Sequence, residues 1–140
     1  DILVKGEMHL PVNKEVLFKF RSQDVIHSAY MPHFRLQMNT VPGMTTSFKM
    51  IPIYTTEQMR EKTGNENFDF ILLCNKICGA SHYNMQMKVI IEEPEKYEAW
   101  LAKQKTFVLK EEGEKQTNVS HKFSKSATLY AFVSKPVANK

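Results

Sequence analysis

A chain of 140 residues suits one domain with one core, and 42% hydrophobic against 24% charged residues is the mix of a soluble globular fold. No apolar run reaches the ~18–20 residues that span a bilayer. The net charge of +4 is spread as Lys and Arg interleaved with Glu, so there is no basic block of the kind that binds nucleic acid, and no nucleic-acid partner is expected.

The opening, DILVKGEMHL, has neither the basic start nor the apolar stretch of a signal peptide. Beginning at Asp1 without Met, it is expected to be a piece of something longer, with any membrane anchor outside it. ILVKGEMHLPVNKEVLFKFRS offers an apolar start, a Pro-Val-Asn break and then the alternation Val16, Phe18, Phe20, which predicts strands. DVIHSAYMPHFRLQM is rich in apolar residues and ends near the Pro42-Gly43 turn. TTSFKMIPI predicts another strand. TTEQMREKTG predicts a helix, with Thr ahead of an acidic first turn and Gly64 just past its end. FDFILLC predicts a buried strand, and MQMKVIIEE another beyond the cysteine loop. EEPEKYEAWLAKQ predicts a second helix, with Pro94 near its start and Tyr97, Trp100 and Leu101 on one face. KEEGEKQTNVSHKFSKS is polar and predicts a loop, and ATLYAFVSKP is one more strand candidate. Short strands at close spacing with one or two short helices predict an all-β, antiparallel sandwich or barrel. Residues 1–102 are expected to form the domain and 103–140 a C-terminal extension.

Chemistry concentrates in CNKICGASHYNM, Cys74 to Met85. Two cysteines are too few for a disulfide framework, and they stand as Cys74-x3-Cys78-x3-His82-x2-Met85. Cys78, His82 and Met85 resemble the ligand loop of blue-copper proteins, in which thiolate and imidazole bind copper strongly and a thioether weakly. Such a site needs a second histidine, and His27 ends an apolar segment that a strand could bring against the loop. A mononuclear site has no use for a second thiolate. Two thiolates can bridge two coppers, with a main-chain carbonyl inside the loop serving one of them.

QDVIHSAYMP, NTVPG and CNKICGASHYNMQMKVIIE together resemble the copper-binding domain of cytochrome c oxidase subunit II, over roughly residues 8 to 102. The resemblance implies a cupredoxin-like Greek-key fold and a binuclear CuA centre of two copper ions. It implies that His27 and Met85 serve one copper, that His82 and the carbonyl of Lys76 serve the other, and that Cys74 and Cys78 bridge both. It also implies a cytochrome c-type electron donor and haem in oxidase subunit I as acceptor. The domain would lie on the periplasmic face of a bacterial cell membrane, held there by helices outside this sequence. As part of such an oxidase it would belong to an oxidoreductase. The family loop usually reads Cys-Ser-Glu-Ile-Cys, with a Glu that helps to hold magnesium. Lys76 stands there instead, so no magnesium is expected through this side chain. Asn39 stands where the family often has Asp. With Gln37, Asn39 and Lys76 near the site and a net charge of +4, a basic donor would be steered poorly. The donor is expected to be acidic or to dock through apolar contact.

Other readings compete. Cys74 and Cys78 could form a disulfide in an oxidising compartment, and that is the state expected of a metal-free preparation. Met85 alone would read as core packing in a chain with eight Met residues. His9, His33 and His121 read as surface or loop residues, Trp100 as core, and Gly79 as a residue needed by a tight loop. Asn118-Val119-Ser120 matches a glycosylation acceptor. The alternative functions are the CuA domain of a nitrous-oxide-reductase-like enzyme and a copper-binding module with no redox role. A quinol oxidase subunit of the same fold would lack the copper ligands.

Overall fold

Alternating apolar and polar side chains build most of the strands, and apolar partners across two sheets bury them. The computed structural model describes residues 2, 4, 6–104 and 130–133. Its strands are β1 (Glu7–Pro11), β2 (Val16–Arg21), β3 (His27–Met31), β4 (Leu36–Thr40), β5 (Thr46–Met50), β6 (Phe70–Cys74), β7 (Gln86–Glu92) and β8 (Tyr130–Val133). One sheet runs in the order β1-β7-β6-β3-β4, the other β5-β2-β8. In β2 the inward positions Val16, Phe18 and Phe20 are buried, as their alternation predicts. Phe18 and Phe20 stack with ring centroids 5.8 Å apart, and Leu10, Met31, Leu36, Leu72 and Ile91 join them in the core. Each such burial stabilises by about 1.5–3 kcal/mol.

Two features of the topology carry no mark in the sequence. The run from Asp24 to Met38 is not one extended segment. It breaks at a 3₁₀ turn, Pro32–Phe34, and Arg35 takes a left-handed backbone with φ 51°, donating its N–H to the Pro32 carbonyl at 3.0 Å. β4 then returns antiparallel to β3. The second is that β1 runs parallel to β7, Met8 opposite Val89 and Leu10 opposite Ile91. These two strands are far apart in sequence, so no tight turn forces them to oppose.

The helices form as their caps predict. α1 (Thr56–Thr63) starts with a capping box. The Gln58 N–H donates to Thr55 Oγ1 at 3.1 Å, and the Thr55 N–H donates to Gln58 Oε1 at 2.9 Å. Gly64 closes it at φ 66°, a conformation that costs glycine nothing. Thr56 Oγ1 accepts the Ile91 N–H at 2.9 Å and ties α1 to β7. α2 (Pro94–Lys103) buries Tyr97, with Trp100 and Leu101 half-buried beside it.

His9 is the exception to its surface reading. It is only 8% exposed and stacks on Trp100 with ring centroids 4.4 Å apart. Its two ring nitrogens lie 2.7 Å from Glu92 Oε1 and 3.3 Å from Glu7 Oε1, so burial leaves neither without a partner. His33 is exposed, as expected, its ring edge-on to Phe68 and Phe70. His121 and Asn118-Val119-Ser120 lie outside the described residues. Among the described residues no helix is long and apolar enough to cross a membrane.

Candidate metal centre

The sheet order places β6 beside β3, with Cys74 opposite Ala29. This brings the end of β6 against the start of β3, where His27 stands. The Asn75 N–H donates to the Ser28 carbonyl at 2.9 Å, and the Cys74 N–H donates to the Met85 carbonyl at 3.0 Å. The second bond closes the loop from 74 to 85 at its neck. Within the loop Gly79 has φ 139°, which side-chain-bearing residues rarely adopt, and its carbonyl accepts the His82 N–H at 3.1 Å. His82 opens a short 3₁₀ turn, His82–Asn84, that carries the chain on to Met85.

All six residues singled out in the sequence converge here. Cys74 Sγ lies 3.7 Å from Cys78 Sγ, 3.8 Å from His27 Nδ1 and 3.3 Å from the Lys76 carbonyl oxygen. Cys78 Sγ lies 3.5 Å from His82 Nδ1 and 3.3 Å from Met85 Sδ. The ligand atoms of His27, Cys74 and Cys78 all fall within 4.8 Å of one another. His27 is buried, and the two cysteines are half-buried free thiols. The Lys76 side chain is exposed, so this residue offers the cluster its backbone only.

One residue of the cluster escaped the sequence reading. Asp24 Oδ1 accepts a hydrogen bond from His27 Nε2 at 2.8 Å. Because a carboxylate only accepts, Nε2 carries the proton and Nδ1 is left to face the sulfurs. The bond to His27, then one from the Val25 backbone, lowers the Asp24 pKa to about 2. Burial works against a charged His27, but the hydrogen bonds to Asp24 and Cys74 outweigh it and raise its pKa. The two thiols are pushed apart. Burial opposes the Cys74 thiolate, yet backbone groups of Ser28 and Lys76, with His27 and His82, bring its pKa down. Burial pushes the Cys78 thiol up, and the bond to Cys74 and its charge push it further. One thiolate therefore forms more readily than an ordinary thiol's, beside a second thiol that holds its proton more tightly.

Soft thiolates, imidazole nitrogens, a thioether and one carbonyl make a donor set suited to copper. The loop and strand ends hold these groups without any side chain having to cross the core.

The family described as "Cytochrome C oxidase subunit II, periplasmic domain" matches residues 2–93. An alternative cytochrome c oxidase subunit 2 of Bradyrhizobium diazoefficiens is 44% identical over 108 residues, covering 76% of this chain and 35% of its own length. A cytochrome c oxidase subunit 2 of Thermostichus vulcanus is 35% identical over 99 residues, covering 70% of this chain and 26% of its own length. The chain thus spans about a third or less of these relatives. The crystal structure of the periplasmic domain of cytochrome oxidase subunit II of Bradyrhizobium japonicum superposes with a TM-score of 0.58 at 24% identity, covering 72% of this chain and 64% of that one. That likeness is one of fold, and it bears out the cupredoxin-like sandwich expected from the sequence.

Proposed function

The chain belongs to the family of periplasmic domains of cytochrome c oxidase subunit II, and on that footing we propose that it is the copper-holding, electron-accepting domain of a respiratory oxidase. The observation that carries the reading is the sulfur pair, 3.7 Å apart, with two imidazoles, a thioether and a backbone carbonyl each within 3.8 Å of one sulfur. Cys74 and Cys78 would bridge two coppers. His27 and Met85 would complete one, and His82 and the Lys76 carbonyl the other. When bound, the copper pair supplies a one-electron centre whose charge is shared over two ions.

The protein's own groups prepare that centre. Asp24 holds His27 in one tautomer and one orientation, so that its lone pair is aimed before any ion arrives. The bond at the neck of the loop keeps Cys74 and Met85 in register, and the one from Asn75 to Ser28 ties the loop to the strand of His27. His27 and Cys74 stand at strand ends and Met85 directly before β7, and this limits the rearrangement that a change of charge demands. The exposed Lys76 ammonium offers magnesium no ligand while protonated. Residues 1–102 would form the copper domain and 103–140 an extension of it. The domain would stand on the periplasmic face of a bacterial membrane, anchored by helices outside this sequence. Its electron donor would be a cytochrome c-type protein and its acceptor haem in oxidase subunit I.

Copper loading tests the reading. Two coppers per chain, with an electron paramagnetic resonance spectrum of one unpaired electron shared equally by both, are expected. A blue spectrum with one copper per chain, or no copper uptake, overturns it.

A further inference from the structure

We propose that the Thr40 hydroxyl is a tuning dipole for the centre that His27 helps to hold, favouring its more positively charged state. Two observations carry this, and the proposal rests on the copper reading above. Thr40 is fully buried, and its Oγ1 has no hydrogen-bond partner among the described residues. It also stands directly opposite His27 in the β3–β4 ladder. Residues so paired project to the same face, with Cβ atoms about 4.5–5.5 Å apart.

A buried hydroxyl without a partner destabilises a fold, so its place beside a ligand calls for a physical reason. Other buried hydroxyls here are tied down. Ser28 Oγ accepts from Gln37, Thr55 Oγ1 caps α1, and Thr56 Oγ1 accepts from Ile91. Only an untied O–H can turn with the local field. In a medium of low polarity its dipole is felt more strongly than in water. Taking one electron from the donor lowers the charge of the centre by one. The oxidised centre is therefore the more positive, and a hydroxyl free to turn its hydrogen away from that charge, leaving its lone pairs toward it, stabilises it over the reduced centre. Thr40 makes no bond to a ligand atom, so it is a positioning residue acting across the ladder from His27 and not a ligand.

Thr40→Ser keeps the hydroxyl, Thr40→Ala removes it at nearly the size of the Ser variant, and Thr40→Val removes it at the original shape. The midpoint potential of the copper-loaded full chain is measured for each, together with the melting temperature of the copper-free chain. Wild type and Thr40→Ser should share one potential. Thr40→Ala and Thr40→Val should both lie higher, and copper-free Thr40→Val should melt no lower than wild type. Equal potentials in the Ser and Ala variants overturn the proposal, even if Thr40→Val fails to fold. A hydroxyl satisfied by a buried water, or kept for packing alone, would move the melting temperature and leave the potential where it was, which also overturns it. If wild type takes up one copper, the functional reading falls, and the Ser and Ala comparison still decides on the centre that forms. If it takes up none, both readings fall.

Discussion

Each sulfur of the cysteine pair touches a different set of neighbours. Cys74 faces His27 and the Lys76 carbonyl, while Cys78 faces His82 and Met85. A bridging sulfur belongs to both ions, so its loss is not the loss of half a site. Cys74→Ser and Cys78→Ser should each abolish the two-copper spectrum altogether. Two coppers per chain with an unchanged spectrum in either variant would contradict the bridging role. Asp24 acts one step further out, by fixing the proton of His27 on Nε2. Asp24→Ala should weaken copper binding by about 10–100-fold while the fold survives, since partners of metal-bound histidines act at that scale. A copper titration against a competing chelator measures it, and an unchanged affinity would show that packing alone orients the ring. The six candidate donors were legible in the sequence because five of them crowd into one loop and the spacing is chemically specific. Asp24 and Thr40 were not legible. Asp24 is three residues from His27 in an ordinary turn, and Thr40 meets His27 only through the register of a hairpin.

At the scale of elements, what is local was legible and what is distant was not. α1 announces both its ends, Thr55 at one and Gly64 at the other. Thr55→Ala should cost about 0.5–2 kcal/mol in denaturant unfolding, the usual worth of such a cap, and a neutral result would mean that the bond from Thr56 to β7 holds the helix unaided. The β3–β4 turn hid because Arg35, not glycine, takes the left-handed position, so the run from Asp24 to Met38 carries no glycine to mark a reversal. The parallel β1–β7 pair hid because its partners lie at opposite ends of the domain. The fixing of β6 also depends on a distant contact. Asp69, just before that strand, meets Lys88 of β7 at 2.6 Å and Arg60 of α1 at 2.9 Å. The bond to Lys88, opposed by burial and aided by the one to Arg60, lowers the Asp69 pKa. A carboxyl whose folded pKa lies below its unfolded one of about 3.9 adds stability above that value and loses it as pH falls through the folded pKa. The advantage of wild type over Asp69→Asn should therefore be constant from neutral pH down to about 5, then shrink in more acid solution. An advantage that persists unchanged below pH 2, by the same unfolding measurement, would assign it to geometry and not to charge.

For the whole molecule the decisive quantity is not the net charge of +4 but the charge at the end where the centre lies. Three loops meet there, 22–26, 41–45 and 75–85, with Ser22 bridged to Pro42. Together they carry one carboxylate, Asp24, already bonded to His27, and one ammonium, Lys76. Their exposed side chains are otherwise uncharged: Gln23, Thr45, Asn75, Ser81 and Asn84 are polar, and the large ones are apolar. Ile77 is 90% exposed, Tyr83 86%, Met44 59%, Val25 44% and Ile26 42%. Under the function proposed above, large apolar side chains set among uncharged ones around the centre would form a docking face that excludes water without selecting for charge. Attraction between unlike charges raises encounter rates steeply at low salt and fades as salt screens it, whereas apolar contact changes little over the same range. Electron transfer from a soluble cytochrome to the copper-loaded chain should accordingly be nearly independent of salt concentration, for an acidic and a neutral donor alike. Ile77→Asp or Tyr83→Asp should slow it with any donor that is not basic, and the copper spectrum should stay intact because both side chains point away from the cluster into solvent. A basic cytochrome that reacts fastest at low salt and slows as salt rises would show that carboxylates beyond these three loops steer the encounter, and would overturn the apolar reading of this face.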